Sequence, residues 1–165
     1  ILLNHCEPDL IKIEINKNKL IILKHLVSKK LNIISHIGVT PQSYKNFNNI
    51  KIFGKTLKEK NNLLKLAQES EKLGAKAVLL ECVTADTAKL ITENISIPTI
   101  GIGASKYCDG QVLVFDDLIN LSLSDKKPKF VKNYFNFNKI ASNVVKKFNQ
   151  EVKFKKFPGA KFTYN

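Results

Sequence analysis

Short, almost continuous apolar runs recur along this chain, and stretches with helical spacing lie between them. Five runs read as strands: Leu10 to Glu14, Asn32 to Gly38, Ala75 to Glu81, Pro98 to Ile102 and Gln111 to Phe115. Between them, Lys19 to Lys30 spaces Leu20, Leu23, Val27 and Leu31 as a helix does. Leu57 to Leu73 places Leu63, Leu66, Ala67 and Leu73 on one face and is stopped by Gly74. Ala85 to Ile95 is a further predicted helix, with Thr84 at its N-cap. Pro41 to Gly54 reads as a long loop, and Lys126 to Pro128 as part of a connecting segment. Asn138 to Val152 forms a final amphipathic helix ahead of a Pro158-Gly159 turn.

Strands apolar on both faces call for a parallel sheet covered by helices, so the fold class is α/β. The 165 residues suit one domain. An open doubly wound sheet and a (β/α)₈ barrel both satisfy the pattern, and periodicity does not separate them. In either one, functional groups gather at the C-terminal ends of the strands. Glu14, His36, Glu81 and Gly103 fall at such ends.

Glu81 closes the run Ala77-Val78-Leu79-Leu80. Partial desolvation there raises a carboxylate's pKa, which suits a base that removes a proton from carbon; a helix-capping carboxylate fits the position equally well. Lys12 and Glu14 share strand parity and hence one face. They could hold a substrate carboxylate and a metal, or simply pair with each other. His36 could serve substrate or acid/base chemistry, or be a satisfied structural histidine. Gly101-Ile102-Gly103-Ala104-Ser105 lacks the third glycine of a dinucleotide fingerprint and the Gly-Lys-Ser/Thr of a P-loop. It reads as a place where backbone approaches something closely. Asp109-Gly110 and Asp116-Asp117 could bind metal, but turn, capping or solvated roles fit them better.

The formal net charge of +13 raises nucleic acid as a partner. All 27 basic residues are Lys, however, and they are spread along the chain without an aromatic RNA-binding motif. Without Arg there is no bidentate fork for guanine or phosphate, so a compositionally biased, solvated surface is the preferred reading. Cys6, Cys82 and Cys108 form no C-x-x-C pair and read as free thiols in a reducing compartment. His5-Cys6 is a poor metal-ligand spacing. No apolar run approaches the roughly 18 residues that cross a bilayer, and the expected location is cytoplasmic.

Several segments together resemble the ketopantoate hydroxymethyltransferase family. They are Lys12-Ile13-Glu14, His36-Ile37-Gly38-Val39-Thr40-Pro41-Gln42-Ser43, Leu79-Leu80-Glu81-Cys82-Val83 and Ile97-Pro98-Thr99-Ile100-Gly101-Ile102-Gly103-Ala104. Cys108-Asp109-Gly110-Gln111-Val112-Leu113-Val114 and Pro128-Lys129-Phe130-Val131-Lys132-Asn133 continue the match in order. The resemblance implies a (β/α)₈ TIM barrel of which strands four to eight are present, so residues 1–165 form the C-terminal part of a single barrel domain.

It also implies transfer of a hydroxymethyl group from 5,10-methylenetetrahydrofolate to the 2-oxo acid 3-methyl-2-oxobutanoate, assisted by Mg²⁺. The product is 2-dehydropantoate, on the route to pantothenate. By the same resemblance Glu81 matches the proton acceptor, Lys12 the group that binds the keto acid, Glu14 a metal ligand and His36 the active-site histidine. A ring-like homo-oligomer is implied as well, with the final helix as a possible contact.

The sequence departs from the family in places. A glycine pair that usually follows the metal-ligand Glu is Ile15-Asn16 here, which could disturb the loop nearest the metal. Ser122-Leu123-Ser124-Asp125 replaces a glycine-bearing segment. Nothing matches the family's two metal-binding Asp residues or its keto-acid-binding Ser. Five strands cannot close an eight-stranded barrel. The expectation is therefore part of a longer enzyme, insufficient for activity alone, with an inactive remnant as the alternative and a basic nucleic-acid-binding module as a more distant one.

Overall fold

The structure, a computed structural model, describes residues 8–40, 51–121 and 127–164. It divides into two compact units, Ile1–Val112 and Leu113–Asn165.

The first unit is a five-stranded sheet: β1 (Ile11–Glu14), β2 (Ile33–Gly38), β3 (Ala77–Glu81), β4 (Thr99–Ile102) and β5 (Gly110–Gln111). Every neighbouring pair is parallel. The strand order is sequential, β1-β2-β3-β4-β5. Between the strands run α1 (Leu20–Ser28), α2 (Leu57–Lys72) and α3 (Ala85–Glu93).

The register assigns the faces, because partners in a parallel ladder point the same way. One face carries Ile13, Ser35, Val78 and Thr99 in a row. Ile33, Ile37, Val78 and Leu80 on that face pack with Leu23 of α1, Leu63 and Ala67 of α2, and Ala88 and Ile91 of α3. All three helices thus cover one face. A doubly wound sheet reverses its strand order and takes helices on both faces. Sequential order with one-sided cover is the geometry of a barrel segment, which settles the choice that periodicity left open.

The helix ends follow their sequence. Thr56 caps α2, with its Oγ1 accepting from Glu59 N at 3.2 Å, and the Glu59 carboxylate returns to Lys55 N at 3.1 Å. This variant of the capping box satisfies two donors that the helix leaves open. Thr84 does occupy the N-cap position of α3, but its side chain makes no cap bond. Instead it lies 3.0 Å from the Gly54 carbonyl oxygen and 2.9 Å from Thr87 Oγ1, which itself donates to Gly54 at 3.0 Å. These hydroxyls tie the segment before α2 to the start of α3, and Phe53 bridges Val83 beside them.

The last strand differs from expectation. β5 holds two residues, Gly110 and Gln111, and Phe115 starts the short helix α4 (Phe115–Leu118) rather than ending a strand. Asp116 and Asp117 sit in the first turn of α4, where carboxylates oppose the positive end of the helix dipole. α5 (Phe137–Lys153) follows in the second unit, capped by Asn136, whose side chain accepts from Lys139 N at 3.1 Å. Residues 41–50 and 122–126, with His5 and Cys6, lie outside the described residues, and with them most of the expected loop from Pro41 and the Ser122–Asp125 segment.

Candidate functional site

The face of the sheet without helices carries Lys12 and Glu14 on β1, Ile34, His36 and Gly38 on β2, Leu79 and Glu81 on β3, and Ile100 and Ile102 on β4. The predicted parity of Lys12 and Glu14 therefore holds, and Glu14 stands beside His36 in the ladder. Glu14 and Glu81 are the last residues of their strands. His36 lies two residues before the end of β2 rather than at it. It partners Leu79, so its ring must reach along the sheet toward Glu81.

That reach is made. His36 Nε2 lies 3.0 Å from Glu81 Oε2. His36 is 2% exposed and the Glu81 side chain 15%. The contact is close enough for an ion pair, and among the described residues Nε2 has no other partner. This buried ring nitrogen therefore depends on the Glu81 carboxylate.

Lys12, Glu14 and His36 line one open concavity with Ile13, Ile15, Lys19 and Ile22. Among the described residues, Lys12 and Glu14 make no ion pair with each other, so mutual pairing does not account for them. Lys19 is a lining cation that reading the sequence missed, because it looked like the first residue of a helix. The replacement of glycine by Ile15-Asn16 is absorbed by the fold. Ile15 is 2% exposed in the core, and its N–H donates to His36 O at 2.8 Å. Asn16 caps the short 3-10 turn at Lys17–Lys19, accepting from Asn18 N at 3.0 Å and Lys19 N at 3.2 Å.

Other candidates serve the fold. Asp109 Oδ2 accepts from Thr99 N at 2.8 Å and from Thr99 Oγ1 at 3.0 Å. Thr99 begins β4, so Asp109 sits at the sheet end opposite Glu81. The close approach expected at the glycine-rich run occurs at Gly101, where a Cβ would stand 3.0 Å from Gln111 Oε1 and 3.1 Å from Cys108 Sγ. Gln111 Nε2 in turn donates to Ser105 O at 2.7 Å, which fastens the β4–β5 connection.

Cys82 and Cys108 are free and buried. Burial, and then the charge of Glu81, push the Cys82 thiol up to about 11, so it is protonated and unreactive at neutral pH. As to Mg²⁺, no group of three or more His, Cys, Asp or Glu able to hold a metal exists among the described residues. Glu14 supplies a single oxygen of the kind that suits a hard cation, which is an incomplete ligand set. No helix among the described residues is long and apolar enough to cross a membrane.

The sequence model of a family described as ketopantoate hydroxymethyltransferase matches residues 1–160. A relative from Clostridium botulinum (strain 657 / Type Ba4) is 43% identical over 142 residues, which cover 86% of this chain and 51% of the relative. A relative from Thermosipho melanesiensis is 43% identical over 93% of this chain and 58% of its own length. One from Pelagibacter ubique is 43% identical over 94% and 59% respectively. All three are named 3-methyl-2-oxobutanoate hydroxymethyltransferase. The chain spans about half the length of the curated relatives it matches.

Proposed function

The chain belongs to the ketopantoate hydroxymethyltransferase family, and on that premise we propose that it is the catalytic C-terminal portion of a 3-methyl-2-oxobutanoate hydroxymethyltransferase. The observation that carries the reading is the close pair His36–Glu81 on the same face as Lys12 and Glu14. A carboxylate at a strand end, 15% exposed and held beside a histidine, is placed to take a proton from carbon.

In this reading the Lys12 ammonium binds the carboxylate of the 2-oxo acid and orients it. Glu81 accepts the proton from the carbon next to the keto group. Water breaks the two C–N bonds of the methylene bridge of 5,10-methylenetetrahydrofolate, which leaves tetrahydrofolate and a one-carbon unit at the formaldehyde level; the deprotonated carbon bonds to that unit's carbon, and its oxygen takes up a proton to become the hydroxymethyl hydroxyl. His36 lies against the Glu81 carboxylate and fixes where it points. Glu14 is one ligand of Mg²⁺, which when bound supplies Lewis-acid polarisation of the keto acid. The remaining ligands, two Asp in the family, are not among the residues of this chain.

The substrates are small water-borne metabolites, which fits a cytoplasmic enzyme. A homo-oligomer is part of the same proposal, with the apolar row Ile140, Val144, Phe148 and Val152 of α5 as a contact surface.

Replacing Glu81 by Gln in the natural protein tests the assignment. Turnover should fall by about 10²–10⁴-fold, the usual worth of a positioned general base. Robust turnover in that variant would remove Glu81 from the role.

A further inference from the structure

We propose that Gly38 and Cys82 are positioning residues that clamp the end of β3 and so set the Glu81 carboxylate against His36; the inference rests on the proton-acceptor reading of Glu81.

Gly38 partners Glu81 in the ladder and has φ +100°. A Cβ at this position would collide with the Glu81 carbonyl oxygen and stand 3.0 Å from Val83 Cγ2. Only a residue without a side chain lets β2 come this near, and the approach is fastened by Val39 N, which donates to Glu81 O at 2.9 Å. On the other side of Glu81, Cys82 has φ +52°, a left-handed backbone that L-residues rarely adopt. Both of its backbone groups are used: Cys82 N donates to Ile102 O at 3.0 Å, and Cys82 O accepts from Phe53 N at 2.9 Å. The chain therefore turns sharply as soon as Glu81 has been placed. Strained backbone held by its surroundings beside a reacting group is a recurring device of active sites.

The consequence is geometric. His36 and Glu81 belong to the two strands that the Gly38 contact joins, and their 3.0 Å approach spans the gap between those strands. Widening the gap separates the pair without touching either side chain.

The test uses the natural protein carrying Gly38→Ala, with Gly74→Ala as control. Gly74 also has a positive φ, +94°, and its Cβ would meet Val27 at 2.8 Å, at the end of α2 away from the site. The readout is the rate at which 3-methyl-2-oxobutanoate loses its C3 proton to D₂O, with Mg²⁺ present and folate absent. Gly38→Ala should slow exchange at saturating keto acid by about 10- to 100-fold, the scale of a misplacement of roughly 1 Å, while the KM for keto acid stays put. Gly74→Ala should lower the melting temperature with exchange unchanged.

Cys82→Gly covers the case in which Gly38→Ala does not fold. It frees the backbone and should also slow exchange, whereas Cys82→Ala, which keeps an L-residue there, should keep the parent rate. Unchanged exchange in Gly38→Ala overturns the clamp, and so do equal rates in Cys82→Gly and Cys82→Ala. A crystal structure of the folded variant decides the point independently of catalysis. A His36–Glu81 separation beyond hydrogen-bond reach supports the clamp, and an unchanged one overturns it. A parent protein that exchanges no proton would sink the base assignment, while the crystal structure would still decide the clamp.

Discussion

In the proposed reaction Lys12 serves binding and Glu81 chemistry, so their variants should separate in kinetics. Lys12→Ala removes the charge proposed to hold the substrate in ground and transition states alike, so the KM for keto acid should rise by about tenfold or more with a smaller change in kcat. Cys82 gives a pH signature of stability. Its thiol titrates at about 11 in the fold, against about 9 for an ordinary thiol. The folded state holds this proton more tightly than the unfolded state, so the contribution is intact below pH 9 and is lost as pH rises toward 11. Urea unfolding of the parent against Cys82→Ala should show that loss, about 2–3 kcal/mol across the window. Residue type and strand position made Lys12, Glu14, His36 and Glu81 candidates, and the ladder sets all four on one face of the sheet. The left-handed backbone at Cys82 was not legible, because nothing in a cysteine announces a positive φ.

Among the elements, the tie between the segment ahead of α2 and the start of α3 rests on Thr87, which is buried and donates to the Gly54 carbonyl oxygen at 3.0 Å. Thr87→Val keeps the shape, removes one hydrogen bond and leaves Thr84 Oγ1 as the donor to that acceptor. Denaturant unfolding should register a loss of about 0.5–1.5 kcal/mol. Helices α1, α2, α3 and α5 were legible, since each has apolar residues at helical spacing, whereas α4 was not. Thr84 takes the expected N-cap position but makes no cap bond: a hydroxyl chooses between its own helix and a neighbouring loop, and tertiary packing brought Gly54 within reach. β5 was read too long for a related reason. Val112, Leu113 and Val114 look like strand, but Asp116 and Asp117 favour a helix start immediately after them, and the helix won.

For the molecule as a whole, β1 and β5 are the terminal strands of the sheet, and the inner face keeps Ile34, Ile100 and Ile102 only half-buried. Unpaired strand edges beside apolar surface invite association with other chains. Expressed as these 165 residues, the chain should bind a hydrophobic dye and sediment as aggregates; a monodisperse, dye-silent monomer would contradict this. The sequence by itself determined the α/β class, the strand order along the chain, the periods of the longer helices and the shared sheet face of Lys12 and Glu14, because local periodicity and residue chemistry decide those. It did not decide between an open doubly wound sheet and a barrel segment, since both bury the same apolar runs. The tertiary structure decided it by laying all three helices on one face. It likewise brought His36 to Glu81 and sent Asp109 to the far end of the sheet, because distances between residues far apart in the chain are fixed by strand register, which no local pattern encodes.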